Sequence, residues 1–437
     1  MNDSTFNFRD FLSNRRNVAA VIGLGLVVLL LLFSALNSNA KKNAPLPPPT
    51  QPPTPGPTLE PTPLAAVKAH CLGGPMLANA DIRAILAQEW TDPSTGITYP
   101  PIIPDTKDAF MSSSSYATYG ATAANNNTPD FTGVDCVIPG DDFYVYTFLQ
   151  KNPQFRSRPQ HVLFVTRLML HTWWDLLPAF IEGGYAVETK GGQAFYMPIP
   201  KVVELLNHQV NSTTWANAGI VFEDPDYNDN PVNLNATAYG SSTGIAQMAW
   251  MASCFANGCT SPVTLDQLPS VVPQLATYVI QQGGQGSSSL GTFNDFMSIG
   301  KGIVAFVAFD SAFASVANTN KMSPELAKCV SSSVDVVPTG CNKDNRIVGI
   351  ALGGSHVARH TYIPLTEIGQ LLLDRLKDPR IQVIALQQLG LSTPAVFEFE
   401  PPISWMDLTA PVSQKPTNEV YAAMVEQVKA AVEAMTK

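Results

Sequence analysis

The strongest constraint on this chain lies ahead of anything that can pack a core. Residues 18–36 form an uncharged run rich in Leu and Val, and ten prolines follow between Pro45 and Pro63. Nineteen helical residues at about 1.5 Å each span roughly 28 Å, close to a hydrocarbon thickness of about 30 Å. The proline-rich stretch has neither the donors nor the apolar content for a core. It favours polyproline II at about 3.1 Å per residue, a semi-rigid spacer of roughly 60 Å. A cleaved signal peptide is the competing reading. The run is long for such a peptide, and Ser38-Asn39-Ala40 is a poor cleavage pattern, so a transmembrane signal anchor is expected. Arg9, Arg15 and Arg16 precede the run and Lys41 and Lys42 follow it, which narrowly places the N-terminus in the cytoplasm.

The six cysteines, Cys71, Cys136, Cys254, Cys259, Cys329 and Cys341, all lie beyond that run. Their even number and one-sided placement favour disulfides in an oxidising, extracytoplasmic compartment. Cys254 with Cys259 and Cys329 with Cys341 are close in sequence, which leaves Cys71 with Cys136, one of several possible connectivities. No CxxC occurs, so zinc is not expected. The net charge of −9 is spread diffusely, without the basic stripe that nucleic acid would require.

The reading that follows is mainly α. It has a cytoplasmic tail at 1–17, the transmembrane helix at 18–36 and a proline-rich linker at 37–66. A helical and loop-rich ectodomain region covers 67–195, a further helical domain 196–330, and a C-terminal helical region 331–437. Helical periodicity predicts helices at 78–89, 200–211, 244–256, 264–282, 293–318, 362–378 and 416–436. The apolar stretch 161–184 reads as a buried helix, residues 91–142 as a long loop-like excursion, and 143–148 and 396–399 as the better strands.

Candidate chemistry gathers at residues 223–250. Glu223 follows the apolar run 218–222, which would desolvate its carboxyl and favour the protonated form that a glycosidic acid needs. An Asn/Asp loop follows, and then Gly244-Ile245-Ala246-Gln247 enters a helix capped by Ser241, Ser242 or Thr243. Gln247 could bond an N-acetyl group or sugar hydroxyl. Tyr239, Trp250 and Tyr278 are the aromatic candidates for the substrate.

The order Glu223, Asn230-Pro231, Asn235-Ala236, Ser241–Gly244 and Gly244–Met248, with Tyr278 on the next helix, resembles the lytic transglycosylase and lysozyme-like family over about 100 residues. The resemblance implies a lysozyme-like α-rich core and an enzyme that cleaves peptidoglycan with Glu223 as its single catalytic acid. It implies a cell-envelope polymer as partner and no cofactor. The chain departs from the family at Glu223-Asp224, where Glu-Ser is usual, and at Ser298–Gly302, where the family carries Ala-Tyr-Asn-x-Gly. Those departures favour the alternative, a non-catalytic structural or binding component of a cell-envelope or virion assembly, with an envelope protein complex as its partner.

Asp224, Asp226 and Asn228 also begin like a calcium loop, but Asp229 and Asn235 stand where an EF-hand needs Gly and Glu. His356 and His360 have i, i+4 spacing without a third ligand, which favours a solvated helix entry over zinc. The expected protein is thus a single-pass membrane protein with its ectodomain outside the cytoplasm.

Overall fold

The structure, a computed structural model, describes residues 64–189, 194–239, 241–282, 296, 299–311, 347–393 and 414–437. Its centre is β-sheet, not a helical bundle. Twelve strands are present among the described residues: β1 (Val67–Gly73), β2 (Trp90–Thr91), β3 (Thr98–Tyr99), β4 (Ile102–Asp105), β5 (Cys136–Ile138), β6 (His161–Trp173), β7 (Val187–Thr189), β8 (Ala194–Met197), β9 (Leu234–Asn235), β10 (Ala305–Phe309), β11 (Ile347–Leu352) and β12 (Val357–Pro364). Ten form one mixed sheet in the order β4-β1-β5-β12-β6-β11-β8-β7, with β10 joined to β6 and β9 to β10.

The expected mainly α fold is therefore corrected, and the reason is visible in β6. Its residues Leu163 to Trp173 are all buried, so no polar alternation marks them as a strand. A strand covered on both faces reads as a continuous apolar run, which periodicity cannot distinguish from a buried helix. The segment around Phe143, read as a strand, is instead a helix, α2 (Asp142–Lys151), because Asp141 caps it by accepting from the Phe143 amide. The lysozyme-like core expected at 196–330 is corrected on the same ground, since β9 and β10 from that region are built into the sheet.

Nine helices clothe the sheet among the described residues: α1 (Ala80–Leu86), α2 (Asp142–Lys151), α3 (Leu177–Glu182), α4 (Ile199–Val210), α5 (Ser242–Asn257), α6 (Leu268–Gln281), α7 (Glu367–Arg375), α8 (Pro379–Leu389) and α9 (Asn418–Met435). None is long and apolar enough to cross a membrane. The expected span at 18–36 lies outside the described residues. The expected single-pass localisation and membrane partner rest on that span alone, and no helix among the described residues supports them.

Strand pleating sets up the first half of the molecule. Cys71, Cys136, Ile138 and Tyr362 point to one face of β1, β5 and β12, packing with Ile82, Leu86, Leu372 and Leu376. Their neighbours Leu72, Val137 and Ile363 point to the other face, with Tyr116, Val145 and Phe148. A separate and larger core, around Leu168 to Leu170, Trp215, Trp250, Leu275, Phe306, Ile350 and Met424, fills the second half.

Two neighbouring strand runs join the halves. Leu163 and Phe164 at the start of β6 serve the first half, whereas Leu168 to Trp173 serve the second. β11 and β12 lie antiparallel to β6 one after the other, pairing first with residues 173 to 169 and then with 167 to 161. The turn at residues 353–356 separates them and marks the handover from one core to the other.

Candidate binding site

β1, β4 and β5 are parallel. β4 lies on one side of β1 and β5 on the other, so the chain reverses its direction across the sheet between β1 and β5. Crevices beyond the carboxyl ends of strands at such a reversal are the usual ligand sites of open α/β sheets. Here β1 runs into Gly73-Gly74, both at φ near +78°. A Cβ on Gly73 would stand 1.8 Å from the Tyr116 hydroxyl oxygen, so only glycine lets the turn close against that ring. β5 runs into Pro139-Gly140-Asp141, and the Gly140 amide donates to Ser113 Oγ at 3.2 Å.

Asp141 serves two elements at once. Oδ1 caps α2, and Oδ2 lies 2.6 Å from Lys415 Nζ. Asp142 Oδ2 is 3.4 Å from the same ammonium and 3.8 Å from Arg359 Nη1. Lys415 belongs to the segment leading into α9, whose Val420, Tyr421, Met424 and Val428 pack in the second core. Val145 and Phe148 of α2 pack in the first half. Charged groups from both halves thus meet just beyond the end of β5.

The handover turn adds buried polar groups behind it. Arg167 on β6 donates through Nε to Ser355 Oγ at 3.0 Å, and its own amide donates to Asp310 Oδ1 at 3.2 Å. Burial pushes the Asp310 carboxyl up to about 7, against the two backbone donors and the Arg167 charge. Burial pushes His356 down to about 3 and His360 down to about 4. His360 Nε2 lies 3.3 Å from Thr166 Oγ1. Burial also raises Asp142, opposed by Lys415.

The sequence candidates fall elsewhere. Glu223 is exposed on a loop, in a bend and not at the end of an α-helix. Gln247 is 1% exposed; its Nε2 donates to the Tyr278 hydroxyl, which donates in turn to the Leu234 carbonyl at 2.7 Å. Trp250 lies in the second core and Tyr239 packs half-buried against it. Glu223 therefore has no partner in Gln247, and the glycan-cleaving enzyme, the lysozyme-like family and the peptidoglycan partner are corrected together.

The calcium reading near Asp224, Asp226 and Asn228 meets a turn that uses those groups internally. Asp224 Oδ1 accepts from the Asp226 amide, and Asn228 exchanges two bonds with the Phe222 backbone. Among the described residues no group of three or more His, Cys, Asp or Glu side chains is placed to hold a metal ion. His356 and His360 do not share a helix face, because His360 lies in β12 and His356 precedes it. Disulfides join Cys71 to Cys136 and Cys254 to Cys259; Cys329 and Cys341 lie outside the described residues.

Asp141 was accessible to sequence reasoning as an N-cap after Pro-Gly. Lys415, Arg167 and Asp310 carry no local signal, since their meaning depends on partners more than a hundred residues away.

No known protein family's profile matches this chain, and no curated protein matches it. Solved structures similar to it include apo ferric ion-binding protein A of Pasteurella haemolytica, at 9% identity and TM-score 0.43, covering 84% of this chain and 96% of that one. Iron-bound HitA from Pseudomonas aeruginosa is similar at 10% identity and TM-score 0.44, covering 84% and 99%. Trichodesmium IdiA (FutA) in complex with iron and citrate is similar at 10% identity and TM-score 0.42, covering 85% and 98%. These values assign neither family nor ligand, and none of the three is a lysozyme-like protein.

Proposed function

We propose that this protein is a non-enzymatic binding protein that captures a small polar solute in the crevice where β1 and β5 end, between its two halves. The observation that supports this reading is the paired crossing of β6 and β11–β12. Two separate cores are joined side by side through adjacent strands, with the charged groups of both converging beside the crossing. Such a joint lets each half stay rigid while the angle between them changes, which is how a hinge grips a ligand.

The test is thermal unfolding and small-angle scattering of the full chain with a fixed set of probes: phosphate, citrate, ferric citrate, glucose, glycine and putrescine. Binding raises the unfolding midpoint, because a ligand that prefers the native state adds its binding free energy to stability. A probe that raises the midpoint and lowers the radius of gyration supports the reading. A radius unchanged by every stabilising probe argues against a hinge.

A further inference from the structure

The Lys415 ammonium sits in its acidic site like a ligand supplied by the protein itself. Its nearest oxygen is on Asp141, whose side chain is 2% exposed, and Asp142 flanks it at 3.4 Å. The chain reaches this place only by returning from the far C-terminal segment, across 274 residues of sequence. A surface ion pair would contribute little, but a carboxylate this buried needs its partner.

A second observation concerns Tyr421. Its side chain is buried, and its hydroxyl has no hydrogen-bond partner. It lies within electrostatic reach of both Asp141 and Asp142, and its ring stacks on Phe143 at 5.5 Å, immediately beside the acidic pair. A buried hydroxyl left unmatched within electrostatic reach of two carboxylates has spare polar capacity. An ammonium group carries three donors, and a small amine could use Asp141, Asp142 and this hydroxyl together.

We infer that the Asp141–Asp142–Tyr421 group is a binding site for a small primary alkylammonium, and that Lys415 is its built-in competitor. With Lys415 in place the segment before α9 straps the two halves together. An external amine that takes the site frees the strap. The inference rests on the proposed binding function and supplies its ligand class.

The experiment uses the full chain with Lys415→Met, which removes the ammonium and keeps the alkyl stem. Ethylamine and putrescine are titrated at constant ionic strength, with tetramethylammonium as the control cation lacking N–H donors. Both amines are expected to raise the unfolding midpoint of Lys415→Met and to bind it about tenfold tighter than the wild type, since the competitor is gone. Adding Asp141→Asn to Lys415→Met should abolish the response. An equal response to tetramethylammonium, or one that survives Asp141→Asn, overturns the inference.

Should Lys415→Met fail to fold, hydrogen exchange on the wild type decides. Putrescine should accelerate exchange at residues 414–421 as Lys415 is displaced, and unchanged exchange at saturating amine overturns the inference. Capture of another probe in the set with no response to amines would defeat this inference while leaving the hinge reading standing.

Discussion

Cys71 and Cys136 stand directly opposite each other on adjacent parallel strands, with Cα atoms 4.6 Å apart, and are joined by a disulfide. The bond closes a loop across 65 positions of sequence that carries β2, β3 and β4. Cross-linking a loop of that size removes unfolded-state entropy worth about 4 kcal/mol in the chain-entropy account. The Cys71→Ala/Cys136→Ala double variant should lose stability of that order. Denaturant midpoints of the variant and the oxidised wild type, at equal slope, measure it.

Gly73 holds the turn at the end of β1. Gly73→Ala would set a Cβ into Tyr116 at a positive φ, so two penalties combine. A loss of about 2–4 kcal/mol is expected. Tyr116→Phe in the same background removes the clashing oxygen and should recover part of that loss, which equilibrium unfolding of the single and double variants would show.

The buried titratable groups set the acid response. His171 and His356 are held down to about 3 and His360 to about 4 by burial, so each is neutral in the folded protein where the unfolded chain is protonated. Their contribution is complete above about pH 6.5 and is lost as pH falls toward those values. Asp310 acts oppositely: its raised value of about 7 gives stability that is present below about pH 4 and lost as pH rises through 7. Between about pH 4.5 and 6 the three histidines outweigh the one aspartate, so unfolding takes up a net two protons or so. Stability should rise with pH there by up to about 3 kcal/mol per pH unit. Asp310→Asn removes the opposing term and should steepen the rise between about pH 5 and 7. Urea unfolding across pH 4.5–8 checks both signs.

The Gln247–Tyr278 pair and Glu223 differ sharply in burial. Tyr278→Phe removes the acceptor for Gln247 and one donor to Leu234, all within a buried environment. A loss of about 1–3 kcal/mol is expected. Glu223→Gln, at an exposed loop position, should stay within about 0.5 kcal/mol of the wild type. Thermal unfolding of the two variants side by side measures the contrast.

The sequence by itself determined the elements whose information is local. The helix from Ser242 to Asn257 announces itself through the Ser241 cap and its Gly258 stop, and α9 through its repeating apolar stripe. Only the tertiary structure decided that residues 161–173 are a strand, because burial on both faces erased the period that would have marked them. It alone separated Glu223 from Gln247, turning one to solvent and the other into a core. It alone brought Lys415 to Asp141, since a charge pair far apart in sequence leaves no trace in the composition or spacing around either residue. Local sequence records what a segment can form; which segments face one another is fixed by the burial of two cores and the strands that join them.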